Sequence, residues 1–175
     1  LSGGSVIENV AFSEDIKATL NCLGALGAEY EIDGSTVKIG GISPDKAVKC
    51  TELFCNESGS TLRFLIPLCL LFGQKITLKG TERLMSRSLA VYKEMCLSQG
   101  IEFTEDKESV TVCGKLTAGK YSVRGDVSSQ FISGLMFALP LLGSDSIIDI
   151  TGALESGSYL GMTVKALAEF GVRIS

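Results

Sequence analysis

The chain repeats a pattern of helix exit and strand three times, at nearly equal intervals. The repeat is marked by three almost evenly spaced glycines, Gly27, Gly100 and Gly171. Each follows a stretch whose apolar residues recur with the period of a helix, and each precedes a short segment in which apolar and polar residues alternate. Glycine in this place is typical of the position after a helix, where a left-handed backbone costs it little. Because a long repeat of this kind dictates how each element can pair and pack, it constrains the fold more than any other feature.

Strands and helices recur in the same frame. Three segments are predicted as strands, at residues 5–9, 75–79 and 146–150, and their starts are separated by nearly the same interval as the glycines. Helices are predicted over residues 14–26, 61–72, 87–99, 129–142 and 159–170. Two strand pairs are predicted, 29–32 with 37–39 and 102–104 with 110–112, and Asp33-Gly34 is a hairpin-turn signal inside the first pair.

The repeat predicts an α/β fold built from about three βαβαββ units, of which the first and last are incomplete. The helices that start at Thr61 and Ser129 are apolar almost all round, as is typical of helices buried on most sides. We expect such helices to lie parallel in the centre, with the sheets outside, in one domain formed by residues 1–175. Counting one repeat back from Ser58 falls before Leu1, so the pattern predicts that the chain begins inside its first repeat.

Composition narrows the classes of function. The net charge of −4 does not favour non-specific nucleic-acid binding. The chain has no histidine, which excludes the common zinc sites and Cys–His nucleophilic pairs within it. The six cysteines form no C-x-x-C pair, and several lie in apolar segments, which favours reduced, buried thiols in a cytoplasmic protein. The longest apolar run, residues 64–72, is far shorter than the roughly 20 residues of a membrane span.

Two predicted helix starts are rich in small polar residues. Residues 58–61 read Ser-Gly-Ser-Thr and residues 127–130 read Val-Ser-Ser-Gln, and Ser58 and Ser128 are separated by one interval of the repeat. The free N–H groups and the positive dipole end of a helix start form a ready anion site. The serines are either ordinary N-caps or part of such a site. The two helix starts occupy equivalent places in the repeat, and the symmetry of the repeat would bring them to the same end of the fold. This favours the anion site.

Two arginines support the same interpretation. Arg63 lies in an otherwise apolar helix and needs a partner, which is either a carboxylate of the fold or a phosphate. Arg87 falls at a predicted helix start, where a positive charge opposes the dipole and is better explained by a bound anion. Arg83 is interpreted as a solvated surface charge.

Three segments together resemble the enolpyruvylshikimate-phosphate synthase family. They are residues 57–64 (ESGSTLRF), 126–131 (DVSSQF) and 155–163 (ESGSYLGMT). Their order and spacing match the family, and Arg87 falls in the family's arginine loop between the first two segments. Glu57 stands where many members have asparagine.

The resemblance implies one half, the N-terminal one, of a two-domain protein in which each domain holds three such repeats around a helical bundle. This half is the domain that binds shikimate 3-phosphate. The family transfers the enolpyruvyl group of phosphoenolpyruvate to the 5-hydroxyl of shikimate 3-phosphate, in aromatic amino-acid biosynthesis. It uses no metal and no organic cofactor, and its site lies between the domains. No nucleic-acid or membrane partner is expected.

The matching motifs carry substrate contacts and no catalytic residue. The resemblance assigns five residues to shikimate 3-phosphate: Ser128, Ser129, Gln130, Ser156 and Tyr159. It assigns three to phosphoenolpyruvate: Gly59, Arg87 and Gln130. Arg63 is given a supporting role. The acid and base residues of the other domain have no match in this chain, so we expect the chain to be inactive without that domain.

Three other functions remain as alternatives. The sister enzyme that transfers enolpyruvate to UDP-N-acetylglucosamine shares the fold, but it usually carries a reactive cysteine in the loop that matches residues 81–88, and none is present here. A non-catalytic repeat module for binding or assembly agrees with the missing acid and base residues. A repeat protein of the RNA-3′-phosphate type is opposed by the acidic charge and the lack of histidine.

Overall fold

A computed structural model describes residues 3–43, 45–154 and 157–175. Within these residues the helices are α1 (Glu14–Leu26), α2 (Gly59–Cys69), α3 (Glu82–Met85), α4 (Ala90–Ser98), α5 (Ser129–Ala138) and α6 (Gly157–Glu169). The strands are β1 (Gly4–Ile7), β2 (Tyr30–Asp33), β3 (Thr36–Gly40), β4 (Glu52–Phe54), β5 (Ile76–Lys79), β6 (Glu102–Glu105), β7 (Ser109–Cys113), β8 (Lys120–Arg124) and β9 (Ile147–Thr151). The chain is therefore a mixed α/β protein, as predicted.

The described strands form three separate sheets. The first is antiparallel with the order β1-β3-β2, and the second has the order β4-β5-β7-β6. In the second sheet β4 runs parallel to β5, and in the third β8 runs parallel to β9. Strands β5, β7 and β6 pair in the same order and sense as β1, β3 and β2. Both predicted strand pairs are confirmed, with Ile32 opposite Val37 and Phe103 opposite Val112.

The three predicted helix exits are confirmed by the backbone. Gly27, Gly100 and Gly171 have φ angles of 117°, 68° and 80°, all in the left-handed region. At the end of α1, the N–H groups of Gly27 and Ala28 both donate to the carbonyl of Leu23. This arrangement ends the helix while satisfying carbonyl groups that have no further partner within it.

Helix boundaries differ from the prediction where capping or proline intervenes. The helix predicted over 87–99 begins only at Ala90, and the short helix α3 precedes it because the Thr81 hydroxyl accepts a hydrogen bond from the Leu84 N–H at 3.3 Å. Arg87 therefore lies in the loop between α3 and α4, and the argument from the helix dipole is wrong. The helix predicted over 129–142 ends at Ala138 and continues as a 3₁₀ turn, Leu139–Leu141, because Pro140 has no N–H to donate.

Helices α2 and α5 form the centre of the fold. Eight of the eleven residues of α2 and eight of the ten of α5 are buried, as expected for helices that are apolar all round. Arg63 contacts Gln130, and one turn later Pro67 faces Gly134, so the two helices run in the same direction. Helix α6 packs on α5, where the hydroxyls of Ser133 and Thr163 lie 2.8 Å apart.

A buried tyrosine of α4 joins the two central helices. This residue, Tyr92, is fully buried, and its hydroxyl donates a shared hydrogen bond to the carbonyls of Arg63 (2.7 Å) and Phe131 (3.0 Å). In a helix the carbonyl of Arg63 would accept from residue 67, but that residue is Pro67 and has no N–H. The Tyr92 hydroxyl supplies the missing donor. A side chain at Gly134 would collide with this hydroxyl and with the Arg63 carbonyl.

The cysteines are free, and four of the six are buried: Cys22, Cys55, Cys69 and Cys96. Burial raises the pKa of Cys69 and raises that of Cys96 to about 12, so both are thiols at neutral pH. Cys50 is exposed and Cys113 is half-buried, contrary to the general expectation of burial. None of the helices in the described part of the chain has both the length and the apolar character that a bilayer crossing needs.

Replacement of Tyr92 by phenylalanine should destabilise the fold. Tyr92→Phe removes the donor that takes the place of the missing Pro67 N–H at the buried Arg63 carbonyl, and such a loss reduces the free energy of unfolding by about 1–3 kcal/mol. Urea unfolding followed by circular dichroism measures this change. Tyr30→Phe is the matched control, because the Tyr30 hydroxyl makes an exposed bond of 3.2 Å to Asn21 Oδ1. Equal stability of the two variants would contradict the role given to Tyr92.

Candidate anion-binding site

The start of α2 is organised by a serine cap. Ser58 is buried, and its hydroxyl accepts hydrogen bonds from the N–H of Thr61 at 3.3 Å and from the Thr61 hydroxyl at 2.8 Å. Capping is thus the role of Ser58 and Thr61. The N–H groups of Gly59 and Ser60, in the first turn, have no acceptor within a helix. They remain available to an external acceptor at the positive end of the dipole.

Two arginines and a glutamine converge on Gly59. A Cβ built on Gly59 would lie 2.8 Å from Arg87 Nη1, 3.1 Å from Arg63 Nη1 and 3.7 Å from Gln130 Oε1. These four residues are called the arginine cluster below. Glycine at its centre allows this close approach, because a side chain there would displace the Arg87 guanidinium group. The structure therefore brings together all three residues predicted for phosphoenolpyruvate, together with Arg63.

Arg63 is buried without a carboxylate partner in the described part of the chain. Its relative exposure is 9%, its Nη1 donates to Gln130 Oε1 at 2.8 Å, and its guanidinium lies 5.0 Å from the centre of the Phe131 ring. Its Nε is buried and has no hydrogen-bond partner among the described residues. Burial lowers the pKa of Arg63, and the charge of Arg87 lowers it further. The amide and the ring position this cation without neutralising it, so the site favours an anion.

The start of α5 presents its serines beside the arginine cluster. The hydroxyl of Ser128, the N-cap, accepts from the N–H of Gln130 at 3.4 Å, and its side chain is exposed. Ser129 is buried at 8% exposure, and its hydroxyl has no hydrogen-bond partner within the part of the chain that is described. Since Gln130 belongs to both the cluster and this helix start, Ser129 stands directly beside the cluster in the chain.

The third predicted segment is only partly described. Ser156 lies outside the described residues, and Tyr159 lies in the first turn of α6 with 62% of its surface exposed. The carbonyl of Tyr159 accepts a hydrogen bond from the Thr163 hydroxyl at 3.2 Å. Ser129 and Tyr159 each stand one turn before the bond between Ser133 and Thr163. The Tyr159 side chain makes no hydrogen bond to the other described site residues, so its role stays a prediction.

An ion pair beside the cluster was not predicted from the sequence. Arg83 Nη1 lies 3.0 Å from Glu57 Oε1, with both side chains at the surface. Arg83 is solvated as predicted, but it is also paired. The partners lie far apart in the chain, in no helical or strand register, so no local pattern could have joined them. The structural role of Tyr92 was not predicted from the sequence either, because its hydroxyl bonds carbonyl groups of two other helices.

The arrangement can hold an anion but offers little for proton transfer. Its functional groups are guanidinium groups, an amide, serine hydroxyls and peptide N–H groups, which all stabilise negative charge. No carboxylate or histidine of the described residues stands in the arginine cluster. Within the same residues, no group of three or more potential ligands could hold a metal ion. The arginine cluster thus offers hydrogen-bond donors and positive charge to an anion, and no carboxylate or imidazole of its own for proton transfer.

Comparisons with known proteins agree on one family. The model of the family described as EPSP synthase (3-phosphoshikimate 1-carboxyvinyltransferase) matches residues 1–175. The 3-phosphoshikimate 1-carboxyvinyltransferase of Clostridium kluyveri is 49% identical over 173 residues, which cover 98% of this chain and 40% of that protein. The enzyme of the same name from Clostridium novyi is 45% identical over 184 residues, which cover 98% of this chain and 42% of that protein.

Solved structures show the same fold. An EPSP synthase from Acinetobacter baumannii superposes with a TM-score of 0.66 over 78% of this chain and 32% of that chain, and its 22% identity supports the fold alone. The chain spans about two-fifths of the length of the curated relatives that it matches. Because the family model matches the chain from its first residue to its last, this protein belongs to the EPSP synthase (3-phosphoshikimate 1-carboxyvinyltransferase) family.

Proposed function

We propose that this chain is the substrate-holding part of an enolpyruvyl transferase that acts on phosphoenolpyruvate and shikimate 3-phosphate. The observation that carries the proposal is the convergence of Arg63, Arg87 and Gln130 on Gly59 at the start of a buried helix. Both substrates are phosphorylated anions, and a pair of guanidinium groups that has no carboxylate partner among the described residues suits them. The names of the curated relatives support the same reaction.

Phosphoenolpyruvate is proposed to bind at the arginine cluster. Arg87 is exposed in a loop and can adjust its guanidinium to a phosphate, whereas Arg63 is fixed by burial and by Gln130. The N–H of Gly59 adds a donor at the positive end of α2. Gln130 Oε1 accepts from Arg63, so its amide nitrogen is free to donate to a ligand oxygen. In this proposal the fixed side chains of Arg63 and Gln130 and the adjustable guanidinium of Arg87 surround the phosphate.

Shikimate 3-phosphate is proposed to bind at the starts of α5 and α6. Ser128, Ser129 and Ser156 are the proposed donors to its 3-phosphate, and Tyr159 is proposed to lie beside the ring. The position of Ser129 directly before Gln130, with a hydroxyl that is not enclosed by the protein, supports this assignment, because Gln130 would then stand between the two substrates. Uncharged hydroxyls and helix N–H groups bind a phosphate without adding to the positive charge of the neighbouring arginine cluster.

The chemical step is proposed to need a second domain. Transfer of the enolpyruvyl group requires protonation and deprotonation of its methylene carbon, and the described site holds no group for that. In this proposal residues 1–175 form one domain, the domain that binds shikimate 3-phosphate, and the second domain supplies acid and base groups and excludes water. The buried free thiols agree with a reducing, cytoplasmic location.

The function is tested by phosphate release from the complete protein that contains this chain. We expect release from phosphoenolpyruvate when shikimate 3-phosphate is the acceptor, and none with UDP-N-acetylglucosamine. Continuous measurement of free phosphate, with each acceptor in turn, gives the answer. Turnover with the sugar nucleotide would identify the sister activity. Absence of turnover with both acceptors would reject the proposed reaction.

Replacement of Gly59 by alanine should impair the use of phosphoenolpyruvate selectively. In Gly59→Ala the new methyl group meets Arg87 Nη1 at 2.8 Å and displaces it, while buried Arg63 cannot retreat. Loss of one charge-assisted hydrogen bond corresponds to about a tenfold or greater rise in the KM for phosphoenolpyruvate. Steady-state kinetics of the complete enzyme measure it. Gly161→Ala, in α6, is the control because nothing lies within 4 Å of a Cβ there; a similar KM in both variants would contradict this prediction.

Replacement of Ser129 by alanine should weaken the shikimate 3-phosphate side. Ser129→Ala removes a hydroxyl proposed to donate to a charged phosphate, and the KM for that substrate should rise roughly tenfold or more. The KM for phosphoenolpyruvate should change much less. Ser133→Ala, one turn further along α5, removes a buried hydroxyl that bonds Thr163 and should reduce stability without this substrate-specific effect. An unchanged KM in Ser129→Ala would remove Ser129 from the site.

A further inference from the structure

We propose that Arg83 is a positioning residue that neutralises the carboxylate of Glu57 and so preserves the positive charge of the arginine cluster. Arg83 Nη1 lies 3.0 Å from Glu57 Oε1. Neither residue belongs to the cluster, and their role is indirect. The inference rests on the proposed function, because it concerns how the same site attracts its anion.

The members of this ion pair stand on the two segments that build the arginine cluster. Glu57 comes shortly before Gly59 in the chain, and Arg83 comes shortly before Arg87. The main chain holds the two segments together, since the Thr81 N–H donates to the Asn56 carbonyl at 2.9 Å. The main chain of Glu57 therefore lies beside the start of α2 without any contribution from the Arg83 side chain.

An uncompensated carboxylate in this place would oppose the binding of an anion. It would add negative potential beside the ligand, and it would also compete with the ligand for Arg87. Arg87 is exposed and has no ion-pair partner in the described part of the chain, so it is available for that competition. With Arg83 bound to it, the Glu57 carboxylate is balanced locally and the charge of Arg87 remains available to the ligand.

The contribution of the pair to folding is expected to be small. The side chains of Arg83 and Glu57 are 78% and 45% exposed, and ion pairs at such exposure add little to the free energy of unfolding. The backbone contact between Thr81 and Asn56 holds the segments together without the side chains. Substitutions at Arg83 and Glu57 are thus expected to change charge while the fold stays intact.

A double-mutant cycle in the complete enzyme tests the proposal. Arg83→Ala should raise the KM for phosphoenolpyruvate about two- to fivefold, the scale of one exposed charge interaction, and leave the KM for shikimate 3-phosphate unchanged. Adding Glu57→Gln to Arg83→Ala should restore the wild-type KM, because no free carboxylate is then left. Arg83→Lys keeps the charge and should resemble the wild type.

Lys120→Ala is the matched control for the loss of an ion pair. Lys120 Nζ lies 2.9 Å from Asp149 Oδ2 with both side chains at the surface, on the sheet formed by β8 and β9. This variant should leave both KM values unchanged. If the double variant has a KM for phosphoenolpyruvate as high as that of Arg83→Ala, the proposal is overturned. The loss of the Arg83 side chain, and not the unpaired charge of Glu57, would then explain the effect. An unchanged KM in Arg83→Ala would overturn it as well.

Binding of inorganic phosphate to this chain provides a measurement that does not depend on turnover. Phosphate should shift the NMR signals of the Arg63 and Arg87 side chains, with weaker binding to Arg83→Ala and recovery in the double variant. Higher salt should reduce the difference. Equal affinity in all variants, or no shift in the wild type, would overturn the inference. The two proposals can fail separately. If the complete enzyme is inactive with both acceptors but phosphate still binds the variants in this order of affinity, the proposed reaction is rejected and the role of Arg83 stands.

Discussion

The hydroxyl of Tyr92 takes the place of a missing peptide N–H at the junction of the two central helices. Pro67 leaves the carbonyl of Arg63 without its usual helical donor, and the Tyr92 hydroxyl satisfies it while also reaching the carbonyl of Phe131. These two carbonyls belong to the turns that carry the arginine cluster and the serines of α5. One buried side chain therefore fixes the relative position of both helix starts, and through them the distance between the two proposed substrate sites.

The burial of Arg63 links the fold to the site. A guanidinium in a protein interior is unfavourable unless its donors are bound, yet its Nε has no partner among the described residues. A buried unsatisfied donor costs about 1–3 kcal/mol of stability. The contacts with Gln130 and with the Phe131 ring offset part of that cost. In the proposed function an anion at Gly59 would provide the missing charge balance, so the residue that weakens the free protein would strengthen the complex.

The sequence alone was most informative where the backbone itself imposes a requirement. The left-handed glycines at positions 27, 100 and 171 marked the helix exits, and the serine-rich starts at Ser58 and Ser128 marked the helix entries. Strands β4 and β8 carry no comparable signal, because the parallel partner of each lies across a helix in the chain. For the site, Arg63, Arg87, Gln130 and Gly59 could be assigned to one place. The resemblance placed Arg87 in a loop, whereas the helical pattern wrongly placed it at a helix start, because that pattern missed the local cap at Thr81. The pairing of Arg83 with Glu57 could not be predicted, since it depends on a contact between distant segments.

The partnership of Pro67 and Tyr92 also has an evolutionary consequence. A tyrosine hydroxyl can bond a helix carbonyl that already accepts a peptide N–H, because the oxygen has two lone pairs. Tyrosine at position 92 is thus harmless before proline appears at position 67, whereas proline arriving first would leave the Arg63 carbonyl unsatisfied. The order of the two substitutions matters, and once both are in place Tyr92 cannot change before Pro67 does. The pair is an example of epistasis between residues on two helices, and it arises because both residues determine the hydrogen bonding of the Arg63 carbonyl oxygen.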